Sequence, residues 1–166
     1  EFTTVRGMWR ATKDIQFNGK VKIESPDDVA EIFALLENKS IEHSFAIYID
    51  EKGYPTIQFL SVGARSQTVI DPIQVIAGVN KYKPKKVYLI HNHPSGSLKP
   101  SNADLNVTNA VRSSIGGVEL EHIIINTYKK QYVLIDKDNY TSVRDRKGKE
   151  GDYYEIPIVS YNDVEF

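Results

Sequence analysis

The chain has 166 residues, 40% of them hydrophobic and 26% charged, and its 21 Lys and Arg against 22 Asp and Glu give a formal net charge of −1. This size and composition are typical of one globular domain with a modest appendage, and the charge balance provides no strong overall field to attract nucleic acid or a membrane. The chain has no cysteine, which excludes disulfides, Cys-ligated zinc modules, iron–sulfur clusters and thiol nucleophiles. Any metal site must therefore use His, Asp, Glu, Asn or backbone oxygen.

The spacing of apolar residues predicts alternating strands and helices along the chain. Apolar residues two positions apart indicate strands, and apolar residues three and four positions apart indicate helices. In chain order we predict a short hairpin around 18–19, a helix from Ser25 to about Asn38, strands at 45–50 and 56–62, a helix from Asp71, a buried strand at 87–90, a helix after Ser101, and strands at 122–126 and 131–135. This mixed order predicts an α/β or α+β layered domain.

Composition divides the chain into three parts: an N-terminal β-rich extension at 1–24, a central domain at 25–138, and a charged linker with a C-terminal tail at 139–166. The run 144–151 is rich in charge and glycine and is therefore assigned to the linker. No stretch approaches the roughly 18 apolar residues needed to cross a membrane, and residues 1–10 lack the apolar core of a secretory signal. We therefore expect a cytoplasmic protein without a membrane partner.

Two histidines follow the buried strand at 87–90. Because His91 and His93 are two positions apart on a strand, their side chains project to the same face. Two adjacent imidazoles form a ready chelate for a metal such as zinc. The same pair can also be two ordinary polar residues, so this spacing alone leaves both readings open.

A turn through Pro94 and Gly96 can bring the carboxylate of Asp104 back over the two imidazoles. Three protein ligands would leave the fourth position of zinc to water, which is how catalytic zinc sites are built. However, Asp104 also stands three residues after Ser101, which is the spacing of a helix capping box and requires no metal. The residues by themselves leave both roles open for Asp104.

The runs His91-Asn92-His93-Pro94-Ser95-Gly96 and Pro100-Ser101-Asn102-Ala103-Asp104, followed by Thr108, resemble the JAMM (MPN+) metalloprotease motif in its RadC-type bacterial form. The resemblance covers roughly residues 25–136. It implies a cytidine-deaminase-like JAB/MPN fold, in which a mixed β-sheet lies between layers of helices. It also implies that His91, His93 and Asp104 bind zinc and that Ser101 stabilises the oxyanion of the reaction.

Proteins with this motif also carry a catalytic glutamate at the start of a strand after the first helix. Glu42 occupies the matching place, so the resemblance implies that Glu42 is the general base and proton shuttle. Glu37 and Glu51 are the competing candidates, one at the end of a helix and the other in a turn. Of the two remaining histidines, His43 should face away from the site, and His122 should have a structural hydrogen-bonding role.

The resemblance implies a zinc-dependent metallopeptidase or isopeptidase, in which a metal-bound water activated by a glutamate hydrolyses peptide or isopeptide bonds of a peptide or protein substrate. The alternative is a RadC-like DNA-associated accessory protein, or a metal-stabilised interaction module without proteolytic activity. A lysine cluster at positions 81, 83, 85 and 86 is most often a solvated loop, and its alternative reading, a nucleic-acid contact, would support the DNA-associated form. The net charge near zero and the lack of a recognisable helix-hairpin-helix region weigh against it. The sequence leaves the oligomeric state open.

Overall fold

The computed structural model describes residues 15–16, 21–38, 41–62, 70–126 and 130–146. Within these residues one seven-stranded mixed sheet has the strand order β1-β3-β2-β4-β5-β6-β7. The strands are β1 Ile15–Gln16, β2 His43–Ile49, β3 Pro55–Val62, β4 Lys86–His93, β5 Glu119–Asn126, β6 Gln131–Ile135 and β7 Thr141–Asp145. The helices are α1 Pro26–Ile32, a 3₁₀ helix Ala34–Asn38, α2 Pro72–Tyr82 and α3 Asn102–Arg112.

The helices cover both faces of the sheet. Because side chains alternate along a strand, Phe45 and Ile90 pack with α1 and the 3₁₀ helix on one face, whereas Ala46 and Leu89 pack with α2 and α3 on the other. The central strands are therefore buried on both sides, which explains the nearly continuous apolar run of β4. The expected three-layer α+β arrangement is confirmed.

Strands β4 and β5 are parallel, and α3 makes the connection between them. Every other pair of neighbouring strands in the described sheet is antiparallel. A parallel pair requires a long crossover, usually a helix, and here that crossover begins directly after the two histidines at the end of β4. The topology therefore places the first turn of α3 beside the end of β4.

The C-terminal part of the fold differs from the sequence-based expectation. Arg144 and Asp145 were assigned to a flexible linker, but they belong to β7, which pairs with β6 from Gln131↔Asp145 to Ile135↔Thr141. This strand lies at the edge of the described sheet and is mostly exposed, so its charges reflect an edge position rather than a linker. The sheet therefore continues past the domain boundary that we expected at residue 138.

At the other edge, β1 pairs with β3 through Ile15↔Ile57 and Gln16↔Thr56. The turn of the predicted N-terminal hairpin, at 17–20, lies outside the described residues, as does the predicted tail at 147–166. Among the helices that the structure describes, none combines the length and the apolar character needed to span a bilayer.

Candidate metal centre

Three side chains converge where β4 ends and α3 begins. The Nε2 atoms of His91 and His93 are 3.1 Å apart. The carboxylate of Asp104 bridges them, with Oδ1 3.2 Å from His91 Nε2 and Oδ2 3.1 Å from His93 Nε2. All three residues are buried, so the structure brings together the three residues that the sequence analysis singled out as ligands.

The spacing of these atoms fits a metal ion. One ligand atom from each residue lies within 4.8 Å of the others. A tetrahedral ion with bonds of about 2.0–2.1 Å would hold its ligands about 3.3 Å apart, close to the spacings of 3.1–3.2 Å between the donor atoms. Two imidazoles and one carboxylate can therefore hold a metal ion, and this donor set suits zinc and similar divalent metals.

The carboxylate of Asp104 takes part in the capping box of α3 and also faces the two imidazoles, so the capping role does not exclude metal binding. Ser101 is the N-cap of α3; its Oγ accepts the backbone N–H of Asp104 at 3.0 Å, and its own N–H donates to Asp104 Oδ2 at 2.8 Å. This capping box uses only part of the carboxylate, because the same group also reaches His91 and His93. The capping interaction thus holds the carboxylate in the position from which it faces the imidazoles.

The surroundings of Asp104 favour the negatively charged form of its carboxyl group. Burial alone would raise the pKa of the Asp104 carboxyl, but the imidazoles of His91 and His93 beside it outweigh burial and lower that pKa well below its usual range. Burial likewise opposes the charged form of His93, but the hydrogen bond to Asp104 raises the pKa of His93 above its ordinary value. The carboxylate therefore stays ionised and attracts a positive charge, either a proton or a metal ion.

Glu42 lies directly before β2 and is buried. Strands β2 and β4 pair through Ser44↔His91, and continuing this antiparallel register by two residues places Glu42 opposite His93 on the same face of the sheet. The charge of Glu42 also contributes to the raised pKa of His93. The buried carboxyl of Glu42 is therefore next to the two imidazoles.

The competing glutamates are elsewhere. Glu37 accepts two hydrogen bonds from Arg146, at 2.9 and 3.2 Å, and Glu51 is exposed in the turn at the far end of β2. Of the three glutamates compared, Glu42 is the one that faces the candidate metal ligands. Local patterns could not select it, because its position depends on the register between two strands that are distant in sequence.

Sequence reasoning missed the contribution of Asn92, which is fully buried on the opposite face of β4. Its Oδ1 accepts the backbone N–H of His43 at 2.7 Å, and its Nδ2 donates to the carbonyl of Ile41 at 3.1 Å. The amide thus holds the backbone on both sides of Glu42. A signal was available, because a polar side chain within a buried strand must find hydrogen-bond partners on its own face.

The two other histidines lie on opposite faces of the sheet. His122, in β5, is fully buried and hydrogen-bonded to His91 and Thr108, which confirms the structural role expected for it. Burial, with a smaller contribution from His91, lowers the pKa of His122 well below its ordinary value. His43 is buried on the face away from the site and bonds through Nδ1 to the carbonyl of Ile41.

The predicted lysine cluster runs from the end of α2 to the first residue of β4, and the histidines lie at the other end of that strand. With about 3.3 Å per residue, the seven steps from Lys86 to His93 span about 23 Å. Lys86 forms an ion pair of 2.6 Å with Glu121. The cluster is therefore remote from the candidate metal centre.

The sequence of this chain is similar to a protein-family model and to several curated proteins. Residues 23–147 match the family model described as RadC-like JAB domain. A UPF0758 protein of Coprothermobacter proteolyticus is 32% identical over 72% of this chain and 54% of its own length. UPF0758 proteins of Protochlamydia amoebophila and Finegoldia magna are 34% and 36% identical over 67% and 63% of this chain, and over 46% and 49% of their own lengths. The chain thus spans about half the length of the curated relatives it matches.

Proposed function

Because the chain belongs to the RadC-like JAB domain family, we propose that it is a zinc-dependent metallopeptidase or isopeptidase that cleaves a peptide or isopeptide bond of a protein substrate. The observation that carries this proposal is the convergence of His91, His93 and Asp104 within 4.8 Å, with the buried Glu42 on the same face of the sheet. Zinc bound by these three residues would polarise the scissile carbonyl and lower the pKa of water at the site.

Glu42 supplies the acid–base group in this proposal. A carboxylate beside the ligands can take a proton from the attacking water and later deliver it to the departing amine. Asn92 keeps that carboxylate in place through its two hydrogen bonds to the adjoining backbone. Since Glu42 directly precedes β2 and the two imidazoles lie on the neighbouring strand β4, the sheet holds the carboxyl in a defined position relative to these two ligands, as proton transfer in a defined geometry requires.

Ser101 supplies a hydrogen-bond donor to the oxyanion. Its Oγ accepts the N–H of Asp104 through a lone pair, which leaves the hydrogen of the hydroxyl for another acceptor. Ser101 is exposed at the N-terminus of α3, where a substrate carbonyl can reach it. Positive partial charge at a helix N-terminus further favours a developing oxyanion.

The test is digestion of a peptide library and of lysine-isopeptide-linked substrates by zinc-loaded protein. We expect wild type to cleave, and Glu42→Gln to bind zinc normally but cleave about 10²- to 10⁴-fold more slowly, since that is the usual contribution of a general acid–base group. Glu51→Gln is the matched control, because Glu51 flanks β2 at its other end, and it should cleave like wild type. Zinc binding should be lost in His91→Ala.

Three results would overturn the proposal: zinc affinity unaffected by His91→Ala, cleavage by Glu42→Gln at the wild-type rate, or a zinc-loaded wild type that cleaves neither substrate class. The last result would favour the non-proteolytic alternative. Its DNA-associated form would then be tested by mobility shift over a salt series, since phosphate contacts are strongest at low salt.

A further inference from the structure

A series of three short hydrogen bonds, called the relay below, leads from the backbone of α3 to one of the candidate metal ligands. Thr108 Oγ1 donates to the carbonyl of Asp104 at 2.6 Å and lies 2.7 Å from Nδ1 of His122. Nε2 of His122 lies 2.8 Å from Nδ1 of His91. Thr108, His122 and His91 are each fully buried, so water does not compete for these bonds.

The donor and acceptor chemistry of these groups fixes the direction of each hydrogen bond in the relay. A hydroxyl has one hydrogen, and the backbone carbonyl of Asp104 can only accept a hydrogen bond. The hydroxyl of Thr108 therefore donates its hydrogen to that carbonyl. This bond to the carbonyl four residues earlier is a usual one for a helical threonine. The oxygen of Thr108 must then accept from His122, which places the hydrogen of the neutral His122 ring on Nδ1. The bare Nε2 of His122 can in turn only accept a hydrogen from Nδ1 of His91.

The consequence appears at the far side of the His91 ring. With its hydrogen on Nδ1, the neutral ring of His91 has its lone pair on Nε2, which is the atom that faces His93 and Asp104. If every hydrogen bond of the relay were reversed, a hydrogen would lie on that Nε2 and block metal binding. Reversal would require Thr108 to abandon the Asp104 carbonyl, so the backbone of one candidate ligand controls the tautomer of another.

We infer that Thr108 and His122 are positioning residues that fix the tautomer and ring orientation of His91 for metal binding. The inference rests on the metal site of the proposed function. The other imidazole is held differently: His93 Nδ1 donates to the backbone carbonyl of Ser97 at 3.1 Å, an acceptor that side-chain substitution cannot remove. His91 depends instead on two side chains. Removing such an outer partner of a ligating histidine weakens metal affinity by about 10- to 100-fold.

The first test is nitrogen-15 NMR of the histidine rings in the metal-free wild-type protein at mildly alkaline pH. We expect both His122 and His91 to carry their hydrogen on Nδ1. A hydrogen on Nε2 of His122 would overturn the inference. Because this measurement requires neither a variant nor a metal, it tests the relay even if the protein binds no zinc, an outcome that would contradict the proposed function instead.

The second test is zinc affinity, measured by competition with a chromophoric chelator. Thr108→Val keeps the size of the side chain but removes the hydroxyl, and we expect zinc binding about 10- to 100-fold weaker. Thr108→Ser restores the hydroxyl and should restore wild-type affinity. Val111→Ala is the matched control, since Val111 is fully buried on the same helix but takes no part in the relay; it should lower stability and leave zinc affinity unchanged.

The outcomes separate a relay from a merely structural role. Wild-type zinc affinity in Thr108→Val would overturn the inference, as would equal losses of affinity in Thr108→Val and Thr108→Ser. If Thr108→Val does not fold, the ring tautomers of the wild-type protein still decide between the two roles.

Discussion

The side-chain oxygen of Asn92 accepts a hydrogen bond of 2.7 Å from the backbone N–H of His43. The same amide donates to Ile41, so that the strand carrying the candidate metal ligands holds the segment carrying Glu42. Asn92 points to the opposite face of β4 from the two imidazoles, and its side chain is fully buried. Glu42 and the candidate metal centre are thereby linked through one side chain that belongs to neither.

We predict that Asn92→Ala impairs cleavage while leaving zinc affinity unchanged. Without the amide, Glu42 loses its fixed position, and a displacement of about 1 Å costs about 10²-fold in rate. Turnover and zinc binding should be measured on the same preparation. Ile90→Val is the control, because Ile90 lies on the same face of β4 and is fully buried, so it lowers stability by about 0.5–1.5 kcal/mol without touching the Glu42 segment. Equal turnover in the two variants would contradict the prediction.

Stability at alkaline pH should depend on Tyr132, whose hydroxyl donates to the carboxylate of Asp27 in α1. Burial, together with this bond, raises the pKa of Tyr132 above its ordinary value of 10.0. A group whose pKa is raised on folding contributes its full stabilisation when the pH is below the pKa of that group in the unfolded chain. That stability is lost as pH rises through the folded pKa, because the unfolded tyrosine ionises first.

We therefore predict that the free energy of unfolding of wild type falls above about pH 10, and that Tyr132→Phe removes up to about 1.4 kcal/mol per pH unit of that slope. Urea unfolding at a series of alkaline pH values measures it. Tyr140→Phe should retain the wild-type slope, since Tyr140 is 73% exposed. A Tyr132→Phe slope identical to that of wild type would show that the Tyr132–Asp27 bond does not control alkaline stability.

Arg146 should contribute strongly to stability although it lies in a charged stretch. Its guanidinium bonds to Glu37 at 2.9 and 3.2 Å and to Glu31 at 3.3 Å, and all three side chains are mostly buried. Arg146→Met leaves two carboxylates without their cation and should cost about 3 kcal/mol in unfolding free energy. Lys137→Met removes a cation that is 59% exposed and should change stability by less than about 0.5 kcal/mol. Similar losses in both variants would contradict this prediction.

Gly78 should not tolerate even a methyl group. A Cβ at this position in α2 would clash with the hydroxyl oxygen of Tyr48, which is buried. Gly78→Ala should therefore destabilise the protein by about 1–3 kcal/mol through overpacking, although alanine favours helix by about 1 kcal/mol over glycine. Gly117→Ala is the control, since a Cβ there meets nothing within 4 Å. Thermal unfolding of both variants measures the difference, and a Gly78→Ala variant as stable as Gly117→Ala would be incompatible with the packing of Tyr48.

The expected domain boundary shows where sequence patterns fail. Alternating or continuous apolar residues predicted β2 to β6, because those strands bury one or both faces. Strand β7 is an exposed edge strand with little apolar signal, and backbone pairing with β6 specifies it instead. Backbone hydrogen bonds do not require particular residue types, and for this reason the sequence pattern predicts a linker where the structure has a strand.

The sequence by itself determined that His91 and His93 share a face, because the two-residue period of a strand is a local property of the chain. It also offered Asp104 as both a cap and a ligand, and the fold shows that one carboxylate performs the capping role while facing the imidazoles. Only the tertiary structure decided the rest. Glu42 reaches the site through the register of β2 on β4, and His122 meets His91 across the parallel pair of β4 and β5. These contacts join segments that are distant along the chain, so they depend on which strands become neighbours and in what register, and local spacing does not encode that choice.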